Sequence, residues 1–130
     1  MRALRVVTMV LSVSSLVSLA VAVPAWGQGV WTAPPDAKNR QNPVSGFASA
    51  TKAVAANCVM CHGAGGKGDG PQAAGLPAKP ADWTSEGLQK QTDGELFWKI
   101  STGRGPMPPW KHLPEKERWE IVNYIRTLKK

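Results

Sequence analysis

The run Cys58-Val59-Met60-Cys61-His62 decides the fold of this 130-residue chain. Two thiols three positions apart on one turn of a helix point to the same side, at about the spacing of the two vinyl groups of haem b. Both can therefore add to the vinyl groups as thioethers. The adjacent His62 is then delivered beneath the ring as an iron ligand. The run predicts one covalently attached haem c.

Two alternatives explain less of this run. A disulfide of the thioredoxin type between Cys58 and Cys61 needs a βαβ context and leaves His62 without a role. A structural zinc site needs four ligands, and His112 is the one further candidate among the two cysteines and two histidines of the chain. Covalent attachment of haem gives a role to Cys58, Cys61 and His62.

Met107 is the predicted second axial ligand. It lies in the run Gly105-Pro106-Met107-Pro108-Pro109, where prolines restrict the motion of a thioether sulfur on the opposite face of the haem. A Met/His pair raises the reduction potential and favours electron transfer over oxygen chemistry. The alternatives are His112 or an open iron site, since Met60 lies on the proximal side.

Three helices are predicted from periodicity and capping signals. The first begins with Ser45 as N-cap and ends near Asn57, with apolar residues at spacings of three and four. The second begins at the capping box Thr92–Glu95 and ends at Gly103. The third begins at Pro114 and continues to the end of the chain. One face of the first helix carries Phe47, Ala50, Val54 and Cys58, the buried side of the second is expected to be Leu96, Phe97 and Ile100, and the apolar face of the third carries Ile121, Ile125 and Leu128.

The connections between these helices are rich in glycine and proline. Almost half of residues 63–75 are glycine, the run from 76 to 84 is fixed by prolines, and no strand pattern occurs. The sequence therefore predicts an all-α fold of about three to four helices, with long Gly/Pro loops wrapped around one haem. The haem would supply apolar core that so small a chain lacks.

The N-terminal residues predict export. Residues 1–5 carry two arginines and residues 6–23 are mainly apolar, which is typical of a signal peptide over 1–27 with cleavage near Ala25 to Gly27. An uncleaved membrane anchor is the alternative. Residues 28–44 are predicted to be an extended arm and residues 45–130 the haem domain, in a soluble periplasmic protein.

The charge of the chain is positive but dispersed. There are 16 Lys and Arg against 9 Asp and Glu, a net charge of +7. Loss of Arg2 and Arg5 with the signal peptide leaves 14 basic residues and a net charge of +5. No dense basic run indicates nucleic acid. The pattern suits redox protein partners with acidic docking surfaces, and a membrane only through partner complexes unless the N-terminal segment is uncleaved.

The ordered motifs resemble those of class I c-type cytochromes, the small monohaem family of exported bacterial electron carriers. The resemblance covers about residues 45–130. It is carried by Cys58–His62, Gly68–Pro71, Asp93–Trp98, Met107–Trp110, Arg118–Trp119 and Tyr124–Leu128.

The resemblance implies a cytochrome c-like fold, in which the first and last helices cross and enclose the haem with the loops between them. By position, Ala50 and either Trp119 or Tyr124 would meet at the crossing. The resemblance also implies that the carbonyl of Pro71 accepts a hydrogen bond from the second ring nitrogen of His62. Candidates to line the pocket or contact the propionates are Trp83, Trp98, Trp110 and Arg104.

The predicted function is electron transfer without chemistry on a bound substrate, so the chain is expected to be a carrier and not an enzyme. One alternative is a haem subunit bound permanently to an exported dehydrogenase or respiratory complex, with the arm as a docking strap. A haem enzyme or gas sensor is another alternative, and it requires an open iron site.

Overall fold

The computed structural model describes residues 30–130, and Trp31–Lys130 form one compact unit. The predicted signal peptide, residues 1–27, and its cleavage site lie outside the described residues. No described helix has the length and apolar character needed to cross a membrane.

The described residues form six α-helices and one short 3-10 helix, with no strand beyond an isolated bridge between Arg104 and Met107. The all-α prediction is confirmed. The three longer helices correspond to those predicted, while the additional ones are single turns too short to leave a periodic pattern. The helices are α1 (Pro35–Lys38), α2 (Ala50–Asn57), α3 (Val59–His62), α4 (Glu86–Gln89), α5 (Asp93–Thr102) and α6 (Glu115–Thr127), and the 3-10 helix is Ala73–Gly75.

Helix α2 begins at Ala50 with Ser49 as its N-cap, four residues later than predicted. Gly46 adopts a φ of 76°, a left-handed conformation that a helix does not accept. The start of the helix is instead set by α6, because the amide and hydroxyl of Ser49 both donate to the carboxylate of Glu120. The predicted cap at Ser45 is therefore wrong, and the helix takes its cap from a residue distant in sequence.

Helices α2 and α6 pack against each other and form the centre of the core. Ala50 and Trp119 are both fully buried, and the ring of Phe47 meets that of Tyr124 edge to face at 6.0 Å. Trp119 also stacks on Phe97 of α5, with ring centroids 3.9 Å apart. The small side chain of Ala50 leaves room for these aromatic rings, and each buried large apolar side chain stabilises the fold by about 1.5–3 kcal/mol.

Helix α5 has the predicted capping box. The hydroxyl of Thr92 accepts from the amide of Glu95, whose carboxylate accepts from the amide of Thr92, and Gly103 ends the helix with a φ of 62°. Leu96, Phe97 and Ile100 are buried, as predicted. Arg126 of α6 holds the start of α5 through Asp93 Oδ1, to which its Nε donates at 2.9 Å.

Residues 31–44 pack on α5 and contain one turn of helix, α1. A Cβ atom at Gly94 would lie 2.1 Å from the carbonyl oxygen of Ala37, so only glycine permits this contact. The guanidinium of Arg40 lies over the rings of Phe97, at 4.6 Å, and Trp119, at 5.3 Å. This segment covers the side of the core formed by the stacked aromatic pair.

Replacement of Glu120 by glutamine tests the contact between α2 and α6. Lys116 and Ser49 donate to the charged carboxylate and lower its pKa from 4.5 to about 2. A carboxyl group with a lowered folded-state pKa stabilises the fold above its ordinary pKa and loses this contribution as the pH falls toward the folded value. We expect Glu120→Gln to unfold at lower urea concentration than the wild type at neutral pH, with a difference that shrinks between pH 4.5 and pH 2.

Glu86→Gln is the matched control, because Glu86 forms an i,i+4 pair with Lys90 in which both side chains are exposed. Such pairs contribute little to stability, and we expect almost no change. A Glu120→Gln difference that is the same at all pH values would contradict the role assigned to the charge.

Candidate functional site

The attachment run forms the short helix α3, which follows α2 after a break at Cys58. The amides of Cys61 and His62 both donate to the carbonyl of Cys58, at 3.2 and 2.9 Å, so one tight turn holds the run together. Both thiols are half-buried and no disulfide joins them. Their placement on one turn leaves both available to a ligand on the same side.

The two thiols, the imidazole of His62 and the thioether of Met107 line one apolar cavity. The cavity is open to solvent on one side and has a volume of about 110 Å³. Its wall comes from α2, α3, α5, α6 and the loops between them, and none of its lining residues is Lys, Arg, Asp or Glu. The other lining residues are Asn57, Leu76, Pro80, Trp83, Ile100, Pro106, Pro108, Trp110, Ile121 and Ile125. Such a wall fits a large apolar ring, with thiol, imidazole and thioether groups as the donor set.

The ring of His62 is fixed by two contacts. It stacks on the indole of Trp83, with centroids 4.4 Å apart and planes 23° apart. Its Nδ1 lies 3.1 Å from the carbonyl oxygen of Ala81, and because a carbonyl only accepts, Nδ1 carries the proton. Burial lowers the pKa of His62, and the bond to Ala81 opposes this shift. A neutral imidazole in this tautomer has the lone pair of Nε2 free for a metal.

The acceptor for His62 is Ala81, which corrects the role predicted for Pro71. The amides of Gly70 and Gln72, on either side of Pro71, donate to the carbonyls of Cys61 and Met60 in α3. Pro71 is therefore held beside α3, where it is exposed. The amide of Trp83 donates to the carbonyl of Gly66 at 2.7 Å. This bond holds the preceding segment so that the carbonyl of Ala81 lies beside the imidazole. Because every residue has a backbone carbonyl, the amino-acid sequence does not show which one accepts this hydrogen bond.

Met107 is held by a closed turn. Arg104 and Met107 exchange two backbone hydrogen bonds, of 2.9 and 3.0 Å, across Gly105 and Pro106. The amide of Trp110 donates to the carbonyl of Ile100 at 3.1 Å, which ties the end of the loop to α5. The prolines and these bonds together restrict where the thioether can lie.

Of the other residues predicted to contact the haem or its iron, some lie in the cavity wall and some lie elsewhere in the molecule. Trp83 and Trp110 line the cavity, whereas Trp98 and Arg104 are not among its lining residues. Exposed His112 lies against the ring of Trp110, with centroids 5.4 Å apart, and is also outside the lining. Over residues 30–130, no group of three or more His, Cys, Asp and Glu side chains is arranged to hold a metal ion.

Residues 46–125 match the family described as cytochrome C oxidase, cbb3-type, subunit III. The chain belongs to this family of c-type cytochrome domains, and the resemblance to class I c-type cytochromes is confirmed. A c-type cytochrome binds haem c covalently through thioether bonds to cysteine, and its function is electron transfer.

Two solved structures are similar to this chain. One is the Kuenenia stuttgartiensis reducing HAO-like protein complex Kustc0457/Kustc0458, with a TM-score of 0.53 and 31% identity, over 62% of this chain and 43% of that chain. The other is the KustC0563 c-type cytochrome, with a TM-score of 0.55 and 27% identity, over 62% of this chain and 98% of that chain. The chain thus corresponds to less than half the length of the first of these proteins. No curated protein matches it.

Proposed function

We propose that this protein is a periplasmic electron carrier whose single haem c is bound by Cys58 and Cys61 and ligated by His62 and Met107. The observation that carries the proposal is that one apolar cavity is lined by two thiols, an imidazole and a thioether from separate parts of the chain. Haem c supplies a one-electron ferric/ferrous couple.

The thiol of Cys58 is presented to the ring as a neutral group. Burial, together with the neighbouring Cys61, raises the pKa of Cys58 to about 11. The thiol of Cys61 lies 3.8 Å from Oε1 of Gln72, a weak hydrogen bond that holds the side chain in place. Both sulfur atoms would form the thioether bonds of the attachment.

The axial positions are set by the backbone around each ligand. The bond from Nδ1 of His62 to Ala81 fixes the ring and increases the basicity of Nε2, which would bind iron. The closed turn at Arg104 and Met107 limits the reach of the thioether, which would bind as the sixth ligand. The apolar wall excludes water from both ligands and favours a raised potential.

The N-terminal sequence and the charge of the chain support the proposed location and the proposed class of partners. The apolar stretch at residues 6–23 supports export, and a net charge of +5 after its removal supports transient contact with acidic redox proteins. Electrons would enter and leave through the haem edge at the mouth of the cavity.

Met107→Ala tests the axial assignment. Loss of the sulfur ligand is expected to abolish the weak long-wavelength sulfur-to-iron absorption band of the oxidised protein and to lower the reduction potential, because a Met/His pair raises it. The measurements are the visible spectrum and a redox titration. A band that persists in Met107→Ala would show that another group is the ligand.

Gly103 and Gly105 offer a matched pair of variants that leave Met107 in place. Both have positive φ, 62° and 55°, so alanine strains the backbone at either position. A Cβ at Gly103 would lie 2.4 Å from the carbonyl oxygen of Met107, whereas a Cβ at Gly105 meets nothing within 4 Å. We expect Gly103→Ala to weaken the band and Gly105→Ala to keep it. Equal spectra would contradict the role of the loop.

A second candidate function is a permanent haem subunit of a larger redox complex. The observation that favours it is the similarity, at 31% identity, to a chain of a multi-protein complex. In this arrangement the haem would serve one fixed partner.

Purification at low and at high salt separates the two functions. Contacts between dispersed surface charges weaken as salt rises, so the carrier is expected to elute alone at high salt. Co-elution with a larger protein at high salt would contradict the carrier and support the subunit.

A further inference from the structure

We propose that Trp83 is a positioning residue for His62 and that its indole face lowers the reduction potential of this cytochrome. The proposal rests on the proposed function, because it takes His62 as an iron ligand. Trp83 itself binds no iron. It acts on the ligand through the stacked contact between the two rings.

The stacked contact is close and protected from solvent. The ring centroids lie 4.4 Å apart with an angle of 23° between the planes. Trp83 is only 6% exposed and lines the same cavity as His62. The two rings are therefore stacked face to face and in direct contact.

Trp83 is held by its backbone as well as by its ring. The backbone amide of Trp83 donates to the carbonyl of Gly66 at 2.7 Å, and its backbone carbonyl accepts from Nε2 of Gln89 at 2.6 Å. The same Gln89 nitrogen donates to the carbonyl of Ile125 in α6 at 2.9 Å. A Cβ at Gly66 would lie 2.8 Å from Trp83 Cε3 and 2.8 Å from a methyl carbon of Leu128, so Gly66 and Leu128 crowd the indole. The indole therefore has little room to move away from the imidazole.

The two contacts of His62 restrain different properties of its ring. The hydrogen bond to Ala81 holds one atom, Nδ1, at 3.1 Å. The stack on Trp83 holds the tilt of the whole ring plane. Since Gln89 ties the backbone carbonyl of Trp83 to α6, α6 helps to hold in place the residue that stacks on the ligand.

The indole also acts on the charge of the ligand. A histidine bound to ferric iron carries more positive charge than one bound to ferrous iron. The face of an aromatic ring is negative, and among side chains that of tryptophan attracts cations most strongly. Trp83 therefore stabilises the oxidised state over the reduced state, which lowers the reduction potential. Loss of the indole raises it.

The test is the reduction potential of Trp83→Phe and Trp83→Leu in the haem-loaded protein, with low-temperature EPR of the oxidised form as a report on the ligand plane. We expect the potential to rise from wild type to Trp83→Phe and again to Trp83→Leu. The EPR spectrum should change in Trp83→Leu and remain closer to wild type in Trp83→Phe, which keeps a ring against the imidazole.

Trp98 provides the matched control. It is half-buried, its ring lies tilted against that of Trp31 with centroids 6.2 Å apart, and it is not among the cavity residues. Trp98→Phe and Trp98→Leu should leave both the potential and the EPR spectrum unchanged. A rise in potential equal to that of the Trp83 variants would overturn the proposal, because it would reflect a general loss of packing.

Potentials of both Trp83 variants at or below the wild-type value would also overturn the proposal. If Trp83→Leu fails to retain haem, Trp83→Phe alone tests the proposal. The reduction potential of Trp83→Phe must then be higher than those of the wild type and of Trp98→Phe. If the wild-type spectrum lacks the sulfur-to-iron band, the His/Met ligation in the proposed function is wrong. If the wild-type spectrum has the band but the Trp83 variants have the same reduction potential as the wild type, only the role of Trp83 is wrong.

Discussion

The apolar cavity between α3, α5, α6 and the Met107 loop is the constraint on which the rest of the structure depends. Several of the largest apolar side chains of this small chain face the cavity as well as one another, among them Trp83, Ile100, Ile121 and Ile125. An empty apolar cavity costs stability because its wall lacks contacts on one side. Haem c bound in this cavity would supply those contacts, and the prosthetic group would then be part of the core.

The side of α5 that carries Phe97 is closed by protein alone. Phe97 and Trp119 stack there, and the guanidinium groups of Arg40 and Arg118 lie 4.6 and 4.7 Å from the centroid of Phe97. The segment before α2 contributes Arg40 and packs on Gly94. The molecule thus has one region stabilised by aromatic packing and another that is completed by the haem.

Much of the site was predictable because its chemistry resides in side chains at fixed spacing. Cys58–His62 and the capping box at Thr92 are local signals, and the structure places Met107 on the cavity and His112 outside it. Other features depend on contacts between distant residues. Ala81 offers only a backbone carbonyl to His62, and α2 takes its cap from Glu120 of α6. Neither contact has a signature in the local sequence.

The claim that the haem is part of the core is tested most directly by far-ultraviolet circular dichroism of the Cys58→Ala/Cys61→Ala protein, purified free of haem. We expect this variant to lose most of the helical signal and the cooperative thermal transition, with both present in the haem-loaded wild type. A haem-free variant that keeps the helical spectrum and a cooperative transition would contradict the claim.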